Sequence, residues 1–257
     1  MTYNNKEIMK IVKQILGDNA TGVYINDQVV KRDLGNDDMP LVSQLGTTPF
    51  IIQDTDDFKI ESGLTRLCII PKNKKIDWVI KIPITGVYKE EFYNEDEGLY
   101  YEWDNENFKG LTQAGASEYD SCDEERSIYE NASLDAKKFM ADNIYIGLYN
   151  GIAIYIQEKT YICNSGMGWY KSRFGHDDKF LCHEVEYLFD VGADIESEIF
   201  LYNVILLIGF QKAIQIFEEF GNFDDLHEQN YGFNSQGIPV LFDYAGYQWG
   251  NHYSLIA

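Results

Sequence analysis

The sequence predicts an α+β fold in two parts, a β-rich first half with one internal helix and a helical second half that ends in a β-hairpin. Three observations predict it. Apolar runs of strand length crowd the first half: PFIIQ at 49–53, LTRLCIIP at 64–71 and DWVIKIPI at 77–84. Two further runs, NIYIGLYN and GIAIYIQEKT, meet at Asn150-Gly151, a tight-turn signature. Beyond them the segment 195–220 has the length and apolar density of a buried helix and stops at Gly221, a natural C-cap. Strands first and helices afterwards, rather than alternating, is the order of an α+β chain.

Taken in order, residues 5–17 read as an amphipathic helix, with Ile8, Ile11, Val12 and Ile15 at helical spacing. A polar stretch with Gly and Asp follows to about residue 47. The strand at 64–71 and the strand at 77–84 are joined by KNKK, a hairpin-like connection. Residues 88–120 are strongly acidic, rich in Tyr and without a period, and are expected to form an insertion or exposed loop. A helix is expected over 121–132, with Ser121 and Glu124 in the capping-box relation. EVEYLFDVG has the pattern of a short helix, and NYGFNSQGIPVLFDYAGY closes the chain as a hairpin. The domain plan is an N-terminal helical extension at 1–47, a β-rich part at 48–160 with the acidic insertion, and a helical part at 161–257.

With 257 residues, 45% of them hydrophobic and 15% aromatic, the chain can bury a full core and is not of disordered composition. Forty-two acidic residues against 21 basic ones give a net charge of -21. That argues against nonspecific nucleic-acid binding and attraction to anionic membranes, which need a Lys/Arg face. Solubility accounts for the acidity; a basic protein partner docked on an acidic face, or imitation of nucleic acid, would also account for it. The four cysteines lack paired spacing, so free thiols in a reducing cytoplasm are expected and a zinc site is not. The longest apolar stretch, 199–210, spans 12 residues, too short to cross a bilayer. No signal-peptide core opens the sequence.

The chemistry concentrates in DLHEQNYGFNSQGIPVLFDYAG. Asp225 precedes Asn230 by five positions, and Asn230 precedes Asp243 by 13. This spacing resembles the catalytic loop and metal-binding D-F-G turn of the protein-kinase superfamily. The local form D-L-H-x-x-N is similar to aminoglycoside phosphotransferases, with His227 where protein kinases carry a Lys. The helix CDEERSIYENA and strand IYIQEK are similar to small kinase-like proteins borne by bacteriophages. The resemblance covers about residues 48–250 and implies a two-lobed protein-kinase-like fold, with a β-rich N-lobe and a reduced, mostly helical C-lobe.

The resemblance implies roles for seven residues. Asp225 would orient or deprotonate the acceptor hydroxyl, with His227 beside it in the catalytic loop. Asn230 and Asp243 would hold Mg²⁺, which favours hard oxygen donors completed by nucleotide phosphates. A hairpin bent at Gly237-Ile238-Pro239 would bring those two together. Lys81, in WVIKIP, matches the strand lysine that meets ATP phosphates and a helix glutamate; an outward-facing strand lysine is the alternative. Glu125 would be its partner, because it shares a helical face with Ile128, Tyr129 and Ala132, where an unpaired carboxylate is costly. Its alternative role is a first-turn helix-dipole residue. Gly63, in ESGLTRL, stands where the family has its glycine-rich loop, or in an ordinary hairpin turn. The strand QEKTYIC at 157–163 stands where the family binds adenine.

Three departures stand beside this. Phe223 and Asp224 replace the His-Arg before the catalytic Asp, so control by an activation-loop phosphate is not implied. Tyr244 replaces the Phe of D-F-G, with Ala245 inserted before Gly246. The sequence runs 14 residues past Asp243, without the peptide platform of a protein kinase. Two function classes result: an ATP- and Mg²⁺-dependent phosphotransferase acting on a protein or small-molecule hydroxyl in a host cytoplasm, and a kinase-like binding protein with little turnover, such as a phage-encoded acidic factor aimed at a basic host protein.

Overall fold

The computed structural model describes residues 3–26, 41–44, 50–63, 66–88, 93–94, 99–100, 121–161, 195–220 and 230–244. The chain gathers into two compact units, Met1–Glu124 with Ile144–Ile156, and Glu125–Asn143 with Gln157–Ala257. Helices combine with mainly antiparallel sheets, as the α+β expectation required.

In the first unit, helix α1 (Asn5–Leu16) begins where the Asn4 side chain accepts the Lys6 N–H at 3.0 Å. It ends at Gly17, whose N–H returns to the Lys13 carbonyl at 2.9 Å. Its apolar stripe (Ile8, Ile11, Val12, Ile15 and Leu16) is buried. Strands β1 (Tyr24–Asn26), β2 (Leu41–Val42), β3 (Ile51–Ile52), β4 (Phe58–Ser62), β5 (Arg66–Pro71), β6 (Trp78–Pro83) and β7 (Gly86–Tyr88) follow. Short strands β8 (Tyr93–Asn94) and β9 (Leu99–Tyr100) pair with each other inside the acidic stretch. The rest of that stretch lies outside the described residues, as does EVEYLFDVG. The long strands β10 (Asn143–Tyr149) and β11 (Ile152–Glu158) meet at Asn150-Gly151, both with positive φ (50° and 89°), as the turn signature demands.

Two sheets result, in the orders β3-β2-β1-β7 and β10-β11-β6-β5-β4. The core joins the α1 stripe to Leu67, Ile69, Ile80, Ile82, Ile154 and Ile156 of the larger sheet. Each such side chain taken out of water contributes about 1.5–3 kcal/mol. The smaller sheet corrects the reading of residues 18–47 as a purely polar stretch. Strands β1 and β2 fall within that range, and β1 lies parallel to β7, some sixty residues on.

The second unit takes most of helix α2 (Ser121–Asn131), a 3₁₀ turn at Ala136–Phe139, helices α3 (Ile195–Ile208) and α4 (Phe210–Phe220), and the hairpin β12 (Tyr231–Phe233) and β13 (Pro239–Leu241). The single helix expected over 195–220 is two helices. Gly209 separates them with φ +83°, a left-handed conformation that glycine adopts without strain. Phe139, Phe200, Phe217, Phe220, Tyr231 and Tyr244 dominate this unit's core. Among the described residues, no helix is long and apolar enough to cross a membrane.

Candidate functional site

Lys81 lies in the first unit. On β6 it lies directly across from Cys68 of β5. Strand alternation sends Ile80 and Ile82 into the core shared with α1 and Lys81 to the opposite face. That face is not open to water at this point, because Lys81 is 3% exposed. The reading of Lys81 as an outward-facing strand lysine is therefore overturned. An ammonium so placed is costly to bury unless it is paired and hydrogen-bonded. Gly63 is exposed, and its N–H donates to the Arg66 carbonyl at 3.0 Å. A Cβ there would meet nothing within 4 Å, and φ is not positive, so nothing local requires glycine.

Glu125, Asn230 and Asp243 lie in the second unit. Glu125 sits on α2 with no exposure at all, on the face that carries Ile128, Tyr129 and Ala132 into the core. Full burial does not suit a solvated first-turn carboxylate. Its Oε2 accepts a hydrogen bond of 3.1 Å from Nδ2 of Asn143, which opens β10 and is itself buried. The Glu158 N–H donates to the Asp142 carbonyl at 2.9 Å, which sets Asn143 across from Gln157 in the ladder. Two buried amide atoms, Asn143 Oδ1 and Gln157 Nε2, lack hydrogen-bond partners. One helical turn beyond Glu125, the half-buried Tyr129 hydroxyl donates to the Asp142 carboxylate. Burial, and then that hydrogen bond, push the Tyr129 phenol above its ordinary pKa.

Asn230 and Asp243 occupy the two open ends of the β12–β13 hairpin. The register Tyr231↔Leu241 leaves Asn230 just before the ladder and Asp243 just after it. The Asn230 carbonyl accepts the N–H of Phe242 at 3.0 Å and that of Asp243 at 3.4 Å. The bend itself is closed by Asn234, whose Oδ1 accepts the N–H groups of Gln236 and Ile238, each at 3.0 Å. So the expected fold-back holds, with the turn spanning Asn234 to Ile238 rather than beginning at Gly237. Tyr244, fully buried, donates its hydroxyl to the Ala141 carbonyl at 3.0 Å. Burial pushes its phenol well above the ordinary range, and the Glu125 carboxylate adds to the rise.

The hairpin brings two oxygen-bearing side chains to neighbouring positions. Asn230 offers an amide oxygen and Asp243 a carboxylate, adjacent through their backbones. No group of three or more His, Cys, Asp or Glu side chains among the described residues could hold a metal alone. Mg²⁺ is commonly held by one or two such oxygens plus phosphates and water, so two donors match that mode. Asp225 and His227 lie outside the described residues. Of the strand expected at 157–163, Gln157 and Glu158 end β11, Tyr161 bridges to Phe233 through bonds of 2.8 and 3.2 Å, and residues 162–163 lie outside. Asn143 and the Tyr244 hydroxyl were not among the expected site residues. A lone amide opening the apolar run NIYIGLYN was the available signal for Asn143.

No protein-family model matches this chain, and no curated protein matches it. A solved structure titled "PpkA-294 apo form" is similar over 74% of this chain and 59% of its own, at 16% identity and a TM-score of 0.33. The chain thus spans less than two thirds of that structure, and an overlap this slight assigns neither fold nor function.

Proposed function

We propose that this chain is a kinase-like phosphotransferase that uses ATP and Mg²⁺ to phosphorylate a hydroxyl of a protein or small molecule. The observation that carries the reading is the β12–β13 hairpin, which joins Asn230 to Asp243 through a shared carbonyl although 13 positions separate them. The burial of Lys81 and Glu125, the two charged residues that the resemblance pairs, supports it.

When bound, Mg²⁺ would supply positive charge against the negative charge that develops on the phosphates. Asn230 and Asp243 would present the oxygens that fix that ion. The resemblance gives Lys81 the role of meeting the phosphates and Glu125 that of its counter-charge. Asp225 would accept the acceptor's O–H proton as the new O–P bond forms and the bridging β–γ P–O bond breaks, releasing ADP. His227 would share the catalytic loop with Asp225.

A second reading, a kinase-like protein that binds without turnover, is favoured by Gly63, where nothing requires glycine and no phosphate cradle is implied. One titration addresses the first reading. Calorimetry should give Mg²⁺-dependent ATP binding in the native chain. Asp243→Asn should weaken it about 10-fold or more, roughly 1.4 kcal/mol, whereas Asp225→Asn should leave binding nearly intact and abolish phosphate transfer. Equal losses in both variants, or ATP binding indifferent to Mg²⁺, would refute the assignment. Normal Mg²⁺-dependent binding in a native chain that transfers no phosphate would favour the second reading.

A further inference from the structure

Tyr244 follows Asp243 directly and is fully buried, yet it carries a hydroxyl. A buried hydroxyl without a partner is costly. Here it donates to the Ala141 carbonyl at 3.0 Å, and the Ala141 N–H in turn donates to the Leu241 carbonyl at 2.7 Å. Met140 and Leu241 form a parallel bridge at the same place. Asp243 is therefore held from both sides. Its own N–H and that of Phe242 point to the Asn230 carbonyl, and the residue after it is tied to Ala141. Ala141 lies two positions before Asn143, which holds the Glu125 carboxylate.

We infer that Tyr244 is a positioning residue of the metal site, its hydroxyl fixing the backbone beside Asp243 so that the carboxylate is aimed before a cation arrives. The inference rests on the reading of Asn230 and Asp243 as Mg²⁺ donors, and deepens it. Two other features of this unit carry less. A lone phenol satisfying itself in the core needs no particular acceptor, whereas this one closes a loop with Leu241. The exposed Leu206 and Leu207 of α3 form an apolar patch, but nothing shows what would cover it.

The test is Tyr244→Phe, which removes one oxygen and keeps the ring. Calorimetry of ADP binding is run with Mg²⁺ and again with EDTA, on the native chain and on the variant. The expected result is a loss of about 10-fold in affinity for Mg·ADP with metal-free affinity unchanged, the scale on which metal sites respond when an orienting partner is removed. An equal loss in both conditions, or none in either, would mean that the hydroxyl serves stability alone and would overturn the inference while leaving the Mg²⁺ reading standing. A native chain whose ADP affinity ignores Mg²⁺ would overturn both. Should the variant fail to fold, hydrogen exchange on the native chain decides: the Asp243 amide should be protected before metal is added, and fast exchange there, slowed only by Mg²⁺, would count against a pre-aimed carboxylate.

Discussion

Glu125 and Asn143 show what a single buried charge asks of its surroundings. With no water available to Glu125, the 3.1 Å bond from Asn143 is part of what makes an ionised carboxylate tolerable there. Asn143→Leu keeps the branched shape and the number of heavy atoms and removes the donor, so it should destabilise the chain by about 2–3 kcal/mol in urea unfolding, more than an ordinary hydrogen bond is worth. Replacing both residues with leucine should cost less than the sum of the two single variants, because each single variant takes a hydrogen bond from a buried polar side chain that the double variant no longer carries. A double variant whose loss equals that sum would show that the two side chains are energetically independent. Lys81 makes the same point from the sequence side. Its identity and strand position were legible, but which face it takes depends on α1 covering the other one, and no local pattern states that.

Elements were legible to the extent that their period was long enough to show. The α1 stripe, the β10–β11 hairpin and the closing hairpin emerge where the pattern places them, because each carries its own turn or cap chemistry. Strands β1 and β2 were missed for a physical reason: segments of three and two residues hold no alternation, and their stability comes from neighbours distant in sequence, Gly86–Tyr88 and Ile51–Ile52. The break between α3 and α4 was missed for another. An isolated glycine within an apolar run does not itself declare a positive φ. Gly209 now makes that break testable. A Cβ there would meet nothing within 4 Å, so Gly209→Ala encounters no clash and bears only the left-handed penalty, about 1–2 kcal/mol. Thermal unfolding should show that loss. A neutral or stabilising alanine would mean that the chain prefers one continuous helix there, as its hydrophobicity alone suggested.

At the scale of the whole molecule the dominant quantity is charge. Twenty-one cations can neutralise at most half of 42 carboxylates, and the net value of -21 is spread over 257 residues. The ion pairs identified by geometry (Lys13–Asp18, Lys59–Glu61, Arg126–Glu130 and Lys138–Asp135) are largely solvent-exposed and close in sequence. Such pairs are worth about 0–1 kcal/mol each, and salt weakens them. The long-range repulsion among surplus carboxylates opposes folding, and salt screens it as the Debye length falls from about 30 Å at 0.01 M to about 10 Å at 0.1 M. The two effects have opposite signs, so the response to salt shows which is larger. With so large a surplus of one sign, repulsion should win. Raising NaCl from about 0.01 to 0.1 M should raise Tm by roughly 2–4 °C, equivalent to about 1 kcal/mol for a chain of this size. A Tm that falls over that range would show that the local pairs outweigh the field of the whole molecule.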